Sequence, residues 1–293
     1  MQDDLIPFIP FEKLRGRTLI WCYLITGFVY GMIRFGLQRV WSESGQNLLP
    51  DAVADLLFYA IFLVCISPIL FRSRLSYKQL FGSCPAWATF RWYILWTFPL
   101  IIFSVVAIYL QYVLSHYLVP EIADWWFNAR STSLDSENLI VNVLNFTTIV
   151  LIVPIFEEFF VRGILLTRWS IKWGTPKAIF MSSLFFGILH TDIIGAFFFG
   201  YVMSILYIRT KSLIIPISIH MANNFIVLAG DIVERPMREV PQHETHIVLQ
   251  ESEALWLMAL AVIIIPWAIN IVWKNFPKES WRVPYFAEAR YLK

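Results

Sequence analysis

Stretches of about twenty consecutive, mostly apolar residues recur along this chain, and each is long enough to cross the hydrocarbon core of a bilayer. They fall at residues 18–38, 52–71, 92–114, 139–161, 177–194, 195–209, 213–230 and 254–273. The fifth and sixth are short and share a turn around Asp192–Gly195. Joined into one helix they would run to about 33 residues, too many for a single crossing, so two are counted. A chain of 293 residues with 58% hydrophobic and 15% charged residues has too few charges to coat a soluble surface of that size. Disorder, a collagen-like repeat and a disulfide scaffold are excluded by the same composition. The expected fold is all-α: a polytopic membrane bundle of about eight transmembrane helices, forming a single integral domain over residues 1–293.

The basic residues set the expected sidedness. With the N-terminus in the cytoplasm, 18 of the 23 Lys and Arg fall in cytoplasmic segments. The other 5 (Arg34, Arg39, Arg130, Arg235 and Arg238) fall outside. Both termini are therefore expected in the cytoplasm, the C-terminal one as a basic tail at 274–293. Acidic residues gather in the outer stretch 231–253, and Trp125 and Trp126 are expected at headgroup depth. Cys22, Cys65 and Cys84 form no C-x-x-C motif and suggest no thiol chemistry. Gly27 and Gly31 form a G-x-x-x-G whose spacing permits close helix approach.

Ionisable residues inside a span are costly and usually face a cavity or a partner. Here they concentrate in the middle third of the chain. The fourth segment holds Glu157-Glu158 followed by Arg162. Glu158 and Arg162 are four residues apart, share a helix face and can pair. Glu157 points about 100° away from that face. A carboxylate without such a partner in a dry site suits a general base. The alternative is one structural network of both carboxylates with Arg162. His190 closes the fifth segment as Phe186-x-x-x-His190, and a lone intramembrane His also serves as an interhelical hydrogen bonder. In the seventh, His220 and Asn224 again share a face at i,i+4. They suit an oxyanion hole, a pair of metal ligands, or hydrogen bonding between helices. Three segments thus bring Glu157, Glu158, Arg162, His190, His220 and Asn224, the equipment to activate a water and stabilise a tetrahedral oxyanion.

E-E-x-x-x-R at Glu157–Arg162, F-x-x-x-H at Phe186–His190 and H-x-x-x-N at His220–Asn224 together resemble the three motifs of the CPBP family. That family contains the CAAX prenyl proteases of the Rce1 type and bacteriocin-processing or immunity proteins. The resemblance covers roughly residues 140–230, which would form the catalytic core. It implies an intramembrane endopeptidase. Glu157 with His190 would activate the attacking water, His220 and Asn224 would form the oxyanion hole, and Glu158 and Arg162 would support the geometry. It also leaves open a zinc ion on Glu157, His190 and His220. The absence of H-E-x-x-H and the weakness of Asn as a zinc ligand lean toward a glutamate mechanism without metal.

Membrane lipid and a membrane-associated protein or peptide, prenylated or bearing a leader, are the implied partners; nucleic acid is not among them. A bacterial inner membrane or a thylakoid-type membrane is the expected location. The competing functions are a proton-coupled carrier built on buried Glu and His and a non-catalytic immunity-type membrane protein. No inverted repeat favours the first, and the intact motifs speak against the second. At the segment limits above, Glu157, His190 and His220 lie at different depths. They meet only if the fourth helix runs past Arg162 toward Thr167 and the fifth is tilted or starts late, near Lys177. The expectation is that Glu157, His190, His220 and Asn224 surround one cavity.

Overall fold

The computed structural model describes residue 11 and residues 14–41, 48–73, 77–121, 138–234, 251–278 and 280–284. Trp125 and Trp126, most of the acidic outer stretch and the end of the basic tail lie outside those residues. All regular structure among the described residues is helical. Helix α1 spans Gly16–Trp41 and α2 Leu48–Arg72. Two short helices, α3 (Tyr77–Phe81) and α4 (Trp87–Ile94), lead into α5 (Thr97–Leu118). A continuous helix, α6, runs over Leu139–Trp173. It is followed by α7 (Thr175–Ile188), α8 (Ile193–Thr210), α9 (Ile214–Glu234) and α10 (Glu251–Lys274).

Among the described residues, six helical stretches are long and apolar enough to cross a membrane: Gly16–Val40, Asp51–Arg72, Trp87–Leu118, Leu139–Trp173, Ile193–Thr210 and Leu255–Lys274. This is a multi-pass membrane protein, and two of the eight apolar segments form helices whose apolar parts are shorter than those six. The apolar part of α9, Ile214–Gly230, is shorter than those six. Helix α7 has 14 residues, about 21 Å of helix, which falls short of a core of roughly 30 Å. The chain turns at 189–192 and runs back along α8, against which α7 packs.

The fourth segment also differs in extent: α6 has 35 residues and does not stop at 161. It ends where Gly174 adopts φ 81°, a left-handed conformation that suits glycine. Pro176 then occupies the first turn of α7, where its missing N–H costs nothing.

Helix α8 is the centre of the bundle. Its membrane stretch is 67% buried, against 11% for those of α1 and α10. Phe198, Val202, Met203 and Leu206 of α8 pack with Leu100 of α5, Val161 of α6, Phe186 of α7 and Ile219 of α9. A second cluster joins Phe62 and Ile66 of α2 to Phe159, Ile164, Leu166, Ile179 and Tyr207. Both chain ends contribute: Phe11, Leu14 and Val283 are buried in this second cluster. Arg168 Nε donates to the Leu14 carbonyl at 2.7 Å, and Thr175 Oγ1 donates to the Trp281 carbonyl at 2.6 Å. The outward faces remain apolar, with Trp21, Phe28, Phe71, Leu114, Trp256 and Val262 exposed, as a lipid-facing surface requires. The glycine pair on α1 makes no close approach: a Cβ on Gly27 or Gly31 would meet nothing within 4 Å.

Close approach occurs instead where α7 turns into α8. A Cβ on Gly187 would lie 2.7 Å from the Ile193 carbonyl oxygen and 3.1 Å from the Phe197 nitrogen. Both are backbone atoms, so the turn itself would have to move. Gly187→Ala is expected to cost about 1–3 kcal/mol, measured as a lowered midpoint of thermal unfolding in detergent. Gly27→Ala, in open space, should leave it unchanged.

Candidate active site

The middle of α6 departs from α-helical geometry twice. Thr148–Ile152 and Phe159–Leu166 are π-helical, flanking the short α-helical turn Val153–Glu158 that carries both carboxylates. A π-helical turn loosens the backbone ladder and is frequent at functional sites. One carbonyl of the first π stretch is put to use: Asn224 Nδ2 of α9 donates to the Ile149 oxygen at 2.9 Å. The second π stretch contains Arg162.

Glu158 and Arg162 are fully buried and paired, with Arg162 Nη1 donating to Glu158 Oε1 at 2.7 Å. Arg162 Nη2 also donates to the Gly200 carbonyl of α8 at 3.3 Å. Its guanidinium stands 4.6 Å from the Phe186 ring centroid of α7. Gly200 permits this approach, since a Cβ there would lie 3.2 Å from Arg162 Nη2. From α9, His220 Nδ1 lies 3.0 Å from the same Glu158 oxygen. A carboxylate already accepting from Arg162 acts as acceptor, which assigns the Nδ1 hydrogen to His220.

His190 sits in the α7–α8 turn. Its Nδ1 is 2.7 Å from the Phe186 carbonyl, which only accepts, so this ring also carries its hydrogen on Nδ1. Both histidines therefore present Nε2 to the remaining carboxylate. Glu157 Oε2 lies 3.9 Å from His190 Nε2 and 3.8 Å from His220 Nε2. Glu157 Oε2 is buried and has no hydrogen-bond partner. The structure thus brings Nε2 of His190 and Nε2 of His220 each within 4 Å of Glu157 Oε2. Glu158 and Arg162 stand directly behind His220. Asn224 is tied to α6 and also accepts a 3.4 Å hydrogen bond from Asn223 Nδ2.

A pocket of about 260 Å³ adjoins the two imidazoles. Leu100, Ile101, Val105 and Ile108 of α5 form its apolar wall; His190, His220, Asn223 and Asn224 form the polar one. Neither glutamate lines it. The donor types of Glu157, His190 and His220 suit zinc. Yet among the described residues no group of three or more His, Cys, Asp or Glu side chains is arranged to hold a metal ion. No chemical step below is routed through one.

Sequence reasoning missed the residues that hold the His190 turn. Asp192 caps α8, accepting from Gly195 N at 2.9 Å, and accepts from Ser104 Oγ of α5. Gln111, also on α5, donates to the Thr191 carbonyl at 2.7 Å and accepts from Ile193 N at 3.0 Å. Ser104 and Gln111 are seven residues apart on one face of an otherwise apolar helix, a spacing visible in the sequence. Also missed was a polar face between α1 and α2, where Arg34 pairs with Asp51 and Tyr30 with Asp55. The bundle outside the middle third is less dry than its composition suggests.

Two predictions follow from burial. Arg162→Met strands the Glu158 carboxylate without its charge partner and should destabilise the fold by about 3–5 kcal/mol, seen as loss of a cooperative thermal transition. Gln111→Leu strands the Ile193 N–H and the Thr191 carbonyl and should cost about 1–3 kcal/mol for each group left unsatisfied. Hydrogen exchange should then rise first at the 189–193 turn.

No curated protein and no solved structure matches this chain. Residues 139–226 match the model of the family described as type II CAAX prenyl endopeptidase Rce1-like. The match begins at the start of α6 and ends within α9, so it spans the helices carrying Glu157, Glu158, Arg162, His190, His220 and Asn224. Over these residues the chain is similar to the Rce1-like family of type II CAAX prenyl endopeptidases, and the matched segment is set in a multi-pass membrane frame.

Proposed function

We propose that the domain cleaves a peptide bond of a membrane-associated protein or peptide with a water activated by Glu157, without a metal ion. The observation that carries this reading is the position of Glu157 Oε2, 3.8–3.9 Å from two imidazole Nε2 atoms whose rings are each fixed through Nδ1. A water hydrogen-bonded to Glu157 Oε2 and His190 Nε2 at ordinary distances bridges such a gap. Glu157 takes a proton from that water as its oxygen attacks the scissile carbonyl carbon. The proton then passes to the leaving nitrogen as the carbon–nitrogen bond breaks.

The oxyanion needs donors. His220 supplies one from Nε2, its ring held in place by the Glu158 carboxylate against Nδ1. Asn224 supplies the amide hydrogen not used on Ile149. In a water-poor cavity such donors act far more strongly than in solution. The pocket between α5, α8 and α9, apolar on one wall, suits the peptide or an apolar group attached to it. The basic-residue asymmetry supports cytoplasmic termini in a bacterial inner or thylakoid-type membrane.

Glu157→Gln and His190→Ala should each lower cleavage of a membrane-tethered reporter peptide by about 10²-fold or more, with unchanged membrane insertion and detergent thermal stability. Activity should survive exhaustive chelation. Undiminished cleavage by either variant refutes the assigned roles, and loss on chelation restored by zinc refutes the metal-free mechanism.

A further inference from the structure

Two matched polar ladders face each other across the α1–α2 hairpin. On α1 the residues are Tyr30, Arg34 and Gln38; on α2 they are Asp51, Asp55 and Tyr59, each set at i, i+4 and i+8. Arg34 grips Asp51 through Nε and Nη2 at 2.8 and 3.1 Å, and Gln38 Nε2 donates to Asp51 at 2.8 Å. Tyr30 donates to Asp55 at 2.7 Å. The last rung, Tyr59, packs edge-on against Phe156 with ring centroids 5.1 Å apart.

The depth of these groups is what calls for an explanation. The apolar part of α2 begins at Asp51, which puts Asp55 about 6 Å and Tyr59 about 12 Å further along the helix. Glu157 is the 19th of the 35 residues of α6, close to mid-helix. The ladder therefore descends from the hairpin end to the level of the carboxylate. Its charged members are not sealed between helices: the side chains of Arg34 and Asp51 are 45% and 29% exposed, and Asp55 is exposed. A charge open to hydrocarbon is costly, by about 3 kcal/mol at the centre of a helix on insertion scales and less toward its ends, whereas a charge open to water is not. Glu157 is itself 26% exposed, yet it does not line the pocket beside the two histidines. Phe156, beside it in the chain, packs on Tyr59 of the ladder.

We propose that this α1–α2 face is a wetted entry track along which water reaches Glu157, separate from the pocket on the far side of the histidines. It rests on Glu157 being the residue that activates water, but the test needs no catalysis. Single cysteines are introduced at Asp55, at Tyr59 and at Leu57, an exposed apolar residue of the same turn of α2. The background has Cys22, Cys65 and Cys84 replaced, and a Gln38→Cys chain marks the side at which the hairpin end lies. Sealed vesicles are treated with a charged, membrane-impermeant methanethiosulfonate.

Thiols react as thiolates, which form in water and not in hydrocarbon, so D55C and Y59C should label about tenfold or more faster than L57C. They should do so from the side that labels Q38C. Labelling of Y59C at the L57C rate, or only from the opposite side, overturns the track. Should either substitution fail to give a folded chain, Tyr30→Cys, the α1 rung that faces Asp55, replaces it with the same two outcomes. A chain that labels as expected but cleaves no peptide fails as a protease while the water path stands.

Discussion

Everything at the centre of this molecule depends on one buried ion pair. Glu158 and Arg162 are both withdrawn completely from the surroundings, where an isolated charge is prohibitively costly. The pair is tolerated because its neighbours complete it: the Gly200 carbonyl from α8, the Phe186 ring face from α7 and the His220 imidazole from α9. Each of these partners sits on a different helix. The pair therefore locks α6, α7, α8 and α9 into one arrangement, and it fixes the His220 ring so that Nε2 faces Glu157.

The same demand for satisfied polar groups shapes the turn between α7 and α8. Helix α7 ends at Ile188 after 14 residues, so the backbone at 189–192 is non-helical. Non-helical backbone in a membrane bundle needs protein groups to meet its hydrogen-bonding needs. Ser104 and Gln111 of α5 and the capping carboxylate of Asp192 meet them. Stopping the helix early is what brings His190 to Glu157. A full-length crossing would have carried it toward the far surface, which is the depth conflict that the apolar segment limits implied.

The motif residues and their pairings were legible because they obey the helical repeat. Glu158–Arg162 is an i,i+4 pair, as the spacing suggested, and the all-helical membrane architecture followed from apolar runs alone. What escaped was whatever depends on where a helix ends or changes pitch. Hydropathy does not distinguish a crossing helix from the 14-residue α7, and nothing in Thr148–Ile152 or Phe159–Leu166 announces π geometry. The α1–α2 ladder escaped for a different reason. Its residues are regularly spaced, but Arg34 counts among the outer basic residues, and Asp55 is the one charged residue in the apolar run 52–71. Only the facing helix turns them into pairs.

The hydrogen-bond inventory of the site carries a consequence for how it handles protons. With Nδ1 of His190 committed to a carbonyl and Nδ1 of His220 to a carboxylate, the neutral rings present lone pairs from Nε2. Glu157, when ionised, presents another acceptor to both. Three acceptors converging with no donor among them repel one another, most strongly where the dielectric is low. In the proposed reaction a water between Glu157 and His190 resolves this by donating both of its hydrogens, and that water is the species that attacks. On that reading, the arrangement that sets three acceptors together is the one that holds the attacking water, and the proposed α1–α2 track brings that water to Glu157 without crossing the apolar wall of α5.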